Sequence, residues 1–191
     1  MVDENYKSSG VDLNFSENLT EKILSIVGKN NELEDLGFFS SSLKINNSIS
    51  ISGSVDGVGT KSKIFKYYGD YSNLGHDIVN HCVNDILPSG AKPFMFLDYL
   101  AFSEIEEEKI LDVVRGISEA CKDMSCILAG GETAQMPDIY KKDDLEVVGF
   151  ILGIVEKSKV PKINTIKEGD VMIGLPSNGL HTNGYSLVRK I

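Results

Sequence analysis

The sequence predicts an α/β or α+β fold in which a mixed sheet packs against helices. Segments with the two-residue alternation of strands alternate along the chain with segments that have the spacing of amphipathic helices. Eighteen glycines against five prolines indicate many tight backbone positions inside an ordered fold. A length of 191 residues, of which 41% are hydrophobic, is enough to bury a sizeable core.

Composition excludes several classes of protein. The formal net charge of -9 argues against a nucleic-acid binder, although local basic groups or metal ions would still allow a nucleotide to bind. No stretch approaches the ~18 apolar residues of a membrane span, and the polar segment 1–12 is unlike a signal peptide. Cys82, Cys121 and Cys126 are expected to be reduced structural thiols, so we predict a cytoplasmic protein.

The first half of the chain predicts two helices and two strands. Ser16, followed by Glu17, begins a capped amphipathic helix that we expect to end near Gly28. The remaining elements expected in this half are a strand at Ser48–Val55, a helix at Leu74–Ile86 stopped by Pro88–Gly90, and a buried strand at Phe94–Phe102.

The second half predicts one long helix and three strands before a final helix. We expect the helix at Glu106–Lys122, a short strand at Cys126–Gly131 that enters a glycine turn, and a central strand at Leu145–Val155. A polar link at Lys157–Lys167 precedes a predicted strand at Asp170–Leu175, and a glycine-rich turn then enters the last helix.

These elements predict three regions along the chain. Residues 1–15 are expected to be a mobile glycine-containing segment, 16–160 a first domain, and 168–191 the first strand and helix of a second domain. The apolar face of the last helix is expected to lack a partner, which predicts a truncated chain; its residues are Leu187, Val188 and Ile191.

The first candidate motif is the glycine-rich segment Ser54–Lys63. Gly57 and Gly59 allow the backbone to approach a ligand closely and to present its N–H groups, while Asp56 could take a metal ion and Lys61 a phosphate. The spacing is not that of a P-loop. The alternative interpretation is a β-turn with a solvated lysine.

The second motif lies at the end of the helix predicted at Leu74–Ile86. Asp85 meets the negative end of the helix dipole, which is unfavourable without a cation nearby and so indicates metal binding. The alternative is an ordinary solvated carboxylate. We interpret His76 and His81 as structural, because residues five apart on a helix form a poor ligand pair.

The third motif, Ala129–Tyr140, places Glu132 directly after a glycine pair at the end of a predicted strand, where ligands gather in α/β sheets. Asp98 lies inside an apolar run and therefore needs a metal or a hydrogen-bond donor, for structure or for function. Carboxylates on separate glycine-flanked turns suit Mg²⁺, which commonly bridges them to nucleotide phosphates.

The fourth motif is the turn within Pro176–Lys190. Gly179 and Gly184 flank His181 at the start of a helix, where exposed N–H groups favour a phosphate. His181 could hydrogen-bond a substrate or act in acid–base chemistry. A simple capping turn is the alternative.

Six segments together match the order and spacing of one known family. The chain closely resembles phosphoribosylformylglycinamidine cyclo-ligases from about residue 6 to its end. This resemblance implies two α/β domains, a barrel formed by first-domain strands across a homodimer axis, and ATP and Mg²⁺ as cofactors. The matching segments are YKSSGVD (Tyr6–Asp12), DGVGTK (Asp56–Lys61), CVNDI (Cys82–Ile86), FLDYLA (Phe96–Ala101), GGETAQMP (Gly130–Pro137) and LHTNGYSLVRK (Leu180–Lys190).

The resemblance also implies a reaction and the residues that serve it. ATP would phosphorylate the formamide oxygen of formylglycinamidine ribonucleotide, and ring closure would yield aminoimidazole ribonucleotide, ADP and phosphate. The implied catalytic residues are His181, Asp85 and Lys61, and the implied metal ligands Asp56, Asp85 and Glu132. The implied nucleotide site is Lys7, Gly10, Asp56, Gly57, Gly59, Thr60, Lys61, Asn84, Asp85, Gly130, Gly131 and Glu132, and the substrate site Ser177, Gly179, His181, Asn183 and Gly184.

Two groups of alternatives remain. Selenophosphate synthetase, which has a similar fold, would be expected to carry a cysteine or selenocysteine in residues 1–15, and none is present. Thiamine-phosphate kinase fits the third and fourth motifs less well. From another class, the chain could be a dimerising nucleotide-binding module without catalysis, and we expect it to be inactive alone because a second domain is needed for ring closure.

Overall fold

The computed structural model describes residues 5–27, 33–34, 39–160 and 165–191. In these residues one mixed six-stranded sheet has the order β1-β2-β3-β6-β4-β5, and only the β4–β5 pair is parallel. The strands are β1 (Leu33–Glu34), β2 (Ser41–Lys44), β3 (Ile49–Gly57), β4 (Lys92–Phe102), β5 (Ile127–Gln135) and β6 (Leu145–Glu156). The helices are α1 (Leu13–Val27), α2 (Ser62–Tyr68), α3 (Tyr71–Ile86), α4 (Glu107–Asp123) and α5 (Tyr185–Val188).

Strand β6 lies at the centre of the sheet, antiparallel to both β3 and β4. Its residues alternate between buried and half-buried positions from Leu145 to Glu156. Since side chains alternate across a strand, one face of the sheet lies under helices and the opposite face stays partly open. The predicted mixed sheet packed by helices, with Leu145–Val155 as its central strand, is therefore confirmed.

The core lies between this covered face and the pair of helices α3 and α4. Strand β4 contributes the fully buried Phe96 and Leu100, and the two helices close over them. The helices predicted at Leu74–Ile86 and Glu106–Lys122 are confirmed within a few residues. The fully buried helical side chains are Leu74, Ile78, Val79, Cys82 and Ile86 from α3 and Val113 and Ile117 from α4.

Two glycines set the distance between α3 and α4. A Cβ on Gly116 would overlap the carbonyl oxygen of Ser72, and a Cβ on Gly75 would overlap the backbone of Val113. The two helices therefore approach more closely than any side chain at these positions would allow.

Helix α1 begins earlier than predicted. It starts at Leu13, and the Asp12 side chain accepts a hydrogen bond from the Phe15 backbone N–H at 3.1 Å, so the cap is Asp12. The predicted cap, Ser16, lies inside the helix and donates to the Asp12 carbonyl oxygen. The expected end at Gly28 lies outside the described residues.

One predicted strand extends further than expected, and another predicted strand is not a strand in the structure. Strand β5 continues through Gly130 and Gly131, where a glycine turn was expected. Gly130 has a φ of +148° next to a shift in register, and the parallel pairing with β4 then resumes and extends to Gln135. The segment Asp170–Leu175 is not a strand. Its side chains are exposed, Met172 to 95%, and no described strand pairs with it to form the hydrogen bonds that a strand needs.

The described residues contain no helix long and apolar enough to cross a membrane. The division into 1–15, 16–160 and 168–191 stays a prediction, and residues 161–164 of the expected link lie outside the described residues.

We predict that Gly116→Ala destabilises the chain by about 2 kcal/mol, because the added methyl group forces α3 and α4 apart. The control is Gly174→Ala, where a Cβ meets nothing within 4 Å. Urea unfolding should show a lower midpoint for Gly116→Ala alone. Equal midpoints for the two variants would contradict the close packing.

We predict that Asp98→Asn stabilises the chain at neutral pH. Burial raises the pKa of Asp98 in the folded state, so the ionised carboxylate opposes folding above its unfolded pKa of about 3.9. The gain from the amide should be largest at neutral pH and shrink as the pH falls through the raised pKa. Urea unfolding between about pH 4 and neutral pH measures this gain in stability, with the exposed Asp123→Asn as the control. A gain that does not change with pH would contradict the raised pKa of Asp98.

Candidate functional site

Two carboxylates and one imidazole form a cluster where β3 meets α3. Asp56 lies near the end of β3, and His81 and Asp85 lie four residues apart on α3, so both point from the same side of the helix. One ligand atom from each of the three side chains lies within 4.8 Å of the others. This spacing allows a single cation to contact more than one of them.

Hydrogen bonds hold both carboxylates in place. Asp56 accepts from the Gly57 backbone N–H at 2.6 Å through Oδ1, and its Oδ2 lies 2.6 Å from His81 Nε2. Ser54, on the same face of β3 as Asp56, donates its hydroxyl to Asp85 Oδ2 at 2.7 Å. The two acids are therefore positioned without any lysine or arginine in direct contact among the ion pairs of the described residues.

The negative charges of this cluster affect the neighbouring Cys82 thiol. Burial, followed by the charges of Asp56 and Asp85, raises the pKa of its thiol to about 12. The thiol therefore stays protonated at neutral pH and its Sγ lies 3.6 Å from the Gly149 carbonyl oxygen. All three cysteines are buried and free, as expected for structural thiols.

The interpretation of His81 as structural stays a prediction, and the structure shows which groups the ring contacts. Its ring is 12% exposed, with Nε2 on Asp56 and Nδ1 on the hydroxyl of Thr182. The sequence signal that places His81 beside Asp85 is their four-residue spacing, which puts both on one side of a helix. His76 fits a structural role, since its Nε2 lies 3.3 Å from Glu119 on the neighbouring helix α4.

Lys61 is held inside the structure and is not a solvated turn lysine. Its Nζ lies 2.5 Å from Asp77 Oδ2 and 5.2 Å from the centre of the Tyr185 ring, and its side chain is 12% exposed. The neighbouring Thr60 hydroxyl lies 3.1 Å from the Ser186 hydroxyl. The turn Gly59–Lys61, opened by Gly59 at a φ of +62°, therefore contacts α5.

The turn Ser177–Gly184 brings one predicted substrate residue, His181, to a groove beside α3. Ser177 donates its hydroxyl to the Gly179 carbonyl oxygen at 2.7 Å, and His181 Nε2 lies 2.8 Å from Asn178 Oδ1. Between this turn and α3 is a groove of about 340 Å³. Its polar lining includes two predicted site residues and their neighbours, namely Asn84, His181, Asp77, Asn80, Asn178 and Thr182.

The N-terminal segment contacts Gly184, at the end of the same turn, and Lys190, which follows α5. Lys190 Nζ donates to the Ser8 carbonyl oxygen, and a Cβ on Gly184 would lie 3.1 Å from the Tyr6 hydroxyl oxygen. Lys7 is exposed, and Gly10 has a φ of +88°. The role of Lys7 and Gly10 in covering a nucleotide stays a prediction.

Glu132 lies apart from the cluster. Asp56, Gly149, Asp98 and Gly131 follow one another in register across β3, β6, β4 and β5. Since side chains alternate along β5, Glu132 points to the opposite face of the sheet from Asp56. The structure therefore brings Asp56 and Asp85 together and does not bring Glu132 to them within one chain; its role as a metal ligand, and those of Gly130 and Gly131, stay predictions.

The sequence of this chain is similar to those of known proteins. Residues 39–155 match the family model described as "AIR synthase related protein, N-terminal domain". The phosphoribosylformylglycinamidine cyclo-ligase of Thermoanaerobacter pseudethanolicus is 45% identical over 98% of this chain, and that of Caldicellulosiruptor bescii is 46% identical over 97%. The chain spans only 57% and 56% of the lengths of these two proteins.

Solved structures share the fold at low sequence identity. AaThiL in complex with AMPPCP and TMP matches with a TM-score of 0.61 at 18% identity, over 73% of this chain and 42% of that one. T. maritima PurL in complex with ATP matches with a TM-score of 0.57 at 16% identity, over 75% of this chain and 25% of that one. Together with the family match over more than half of its length, these findings show that the chain belongs to the family of AIR synthase related proteins and carries their N-terminal domain.

Proposed function

We propose that this chain is the nucleotide-binding part of a phosphoribosylformylglycinamidine cyclo-ligase of cytoplasmic purine biosynthesis. The complete enzyme would use ATP to close the ring of formylglycinamidine ribonucleotide, forming aminoimidazole ribonucleotide, ADP and phosphate. Sequence identity of about 45% to proteins of that name supports it. The observation that carries it is the Asp56–His81–Asp85 cluster at α3, the helix that also holds Lys61 through Asp77 and borders the groove at His181.

ATP is the proposed cofactor because the site offers groups suited to its phosphates. Gly59, where a Cβ would meet nothing within 4 Å, leaves the backbone between β3 and α2 open to close approach, and Lys61 supplies a positive charge. Structures of AaThiL with AMPPCP and of T. maritima PurL with ATP, which share this fold, agree with a nucleotide site. A bound phosphate would share Lys61 with Asp77.

Mg²⁺ is the proposed metal, and the chemistry of the donors fits it. Carboxylate oxygens are the ligands that Mg²⁺ prefers, and Asp56 and Asp85 present theirs within 4.8 Å of one another. Their negative potential, which contributes to the raised pKa of Cys82, also favours a cation. Bound there, the ion would neutralise charge on the transferred phosphoryl group.

The turn Ser177–Gly184 is the proposed substrate side of the site. Asn84 and His181 border one groove with room for a polar ligand. After phosphorylation of the formamide oxygen, the nitrogen of the amidine side attacks the activated carbon and phosphate leaves. His181 would hydrogen-bond the reacting centre or move a proton there, held by Asn178.

A homodimer is proposed from the open face of the sheet. Val55 on β3 is 65% exposed, and it borders a shallow apolar groove with Ile51, Phe150 and Leu152. An apolar sheet face of this kind is a typical protein interface. A second copy packed on this face would bury these side chains and leave the helix-covered face, with its site, accessible.

The activity is tested with the full-length enzyme that contains this chain. ADP should form only when formylglycinamidine ribonucleotide, ATP and Mg²⁺ are all present. Equal ATP turnover with selenide or thiamine phosphate would refute the proposed substrate.

The nucleotide site is tested in the same full-length enzyme with Asp85→Asn. Loss of a carboxylate that holds Mg²⁺ should weaken Mg²⁺–ATP binding about tenfold in a calorimetric titration, with little change in folding. The matched control is Asp123→Asn, an exposed acid at the end of α4 that lies outside the cluster. Unchanged affinity for Asp85→Asn would make Asp85 an ordinary solvated carboxylate.

The dimer is tested with Val55→Lys, which places a charge on the open sheet face and should convert the dimer to a monomer in sedimentation experiments. Tyr67→Lys is the control, because Tyr67 is 84% exposed on α2 and is not among the residues that line that groove. A monomeric unmodified chain, or dissociation by both variants alike, would contradict the proposed interface.

A further inference from the structure

His81 contacts both Asp56 and Thr182, and Thr182 lies 101 residues after His81 in the sequence. Its Nε2 lies 2.6 Å from Asp56 Oδ2, and its Nδ1 contacts the hydroxyl of Thr182. The ring is 12% exposed and Thr182 is 7% exposed, whereas most of the surrounding turn Ser177–Gly184 is open to solvent. The contact between His81 and Thr182 is thus a shielded attachment of this turn to α3.

The partners of the ring assign its hydrogen atoms. An ionised carboxylate can only accept, so Nε2–H donates to Asp56. A neutral imidazole then has its lone pair on Nδ1, which accepts from the Thr182 hydroxyl. With both ring nitrogens in use, His81 reaches a cation at the cluster through Asp56 and not by direct coordination.

The Asp56 carboxylate is therefore connected both to strand β3 and, through His81, to the turn Ser177–Gly184. Asp56 Oδ1 is held by the Gly57 N–H of the strand, and Oδ2 is held by His81, which in turn holds Thr182. Partners of this kind orient a metal ligand and tune its affinity, often by an order of magnitude. Thr182 directly follows His181, the residue at the mouth of the groove.

We infer that His81 is a positioning residue that couples the acidic pair Asp56 and Asp85 to the turn Ser177–Gly184. The inference rests on the proposed function, because it takes the acidic pair as the cation site. Coupling between two sites is reciprocal, so a change in the turn alters cation affinity, and a bound cation alters the turn. A cation bound beside the phosphates therefore sets the position of the turn that carries His181.

The test titrates this chain with Mn²⁺ alone as the probe cation. His81→Leu should weaken Mn²⁺ binding about tenfold, as expected for loss of a partner that orients a ligand. Thr182→Val, which removes only the hydroxyl at the far end of the chain of hydrogen bonds, should weaken it about fivefold. Thr182→Ser, the matched control, keeps the hydroxyl and should bind Mn²⁺ as the unmodified chain does.

A double variant separates coupling from independent damage. In the His81→Leu background, Thr182→Val should cause no further loss of Mn²⁺ affinity, since the connection is already broken. Hydrogen exchange gives a second readout: Mn²⁺ should slow amide exchange at 177–184 in the unmodified chain and not in His81→Leu. Circular dichroism checks that each variant is folded, and Thr182→Val carries the test if His81→Leu is not.

The outcomes distinguish the two proposals. Mn²⁺ binding to the unmodified chain with unchanged affinity in Thr182→Val overturns the coupling and leaves the cation site standing. Additive losses in the double variant also overturn it. An unmodified chain that binds no Mn²⁺ contradicts both the coupling and the proposed cation site.

Discussion

The close packing of α3 on the central strands is the contact on which the rest of the structure depends. Glycines in β6 permit it: a Cβ on Gly149 would press into Phe96 and Cys82, and one on Gly153 into Ile86 and Ala91. Because α3 lies this near the sheet, its apolar side chains pack in the core. Its polar side chains His81, Asp85 and Asp77 lie near the end of β3. The core and the candidate site are therefore two sides of one helix.

Electrostatic balance at the site follows from that packing. Asp56 and Asp85 are brought together beside hydrogen-bond donors and the His81 imidazole, but without a lysine or arginine in direct contact among the ion pairs of the described residues. Lys61 is held by Asp77. The combined charge of Asp56 and Asp85 helps to keep the Cys82 thiol protonated. Such an arrangement has little reason to persist for stability alone, and it suits a site where a cation and a polyanion bind together.

The two faces of the sheet have different surroundings and so suit different roles. The face under α3 and α4 carries Ser54 and Asp56 and is closed by the core, whereas the open face carries Val55, Phe150 and Glu132. A one-residue step along a strand decides which face a side chain joins. The proposed cation site and the proposed dimer interface therefore occupy opposite sides of the same strands.

The local sequence pattern determined several helices and strands of this protein and one candidate site residue. Contacts between distant residues decided which strands form and which side chains meet at the site. Periodicity was enough for β4, β6, α3 and α4, and the unfavourable position of Asp85 at a helix end was enough to single it out, because these signals depend on neighbouring residues. The strand expected at Asp170–Leu175 is absent because a strand needs a hydrogen-bonded partner. The contacts of His81 could not be predicted, because its partners, Asp56 and Thr182, come from distant parts of the chain that meet only when the sheet, α3 and the last turn are packed together.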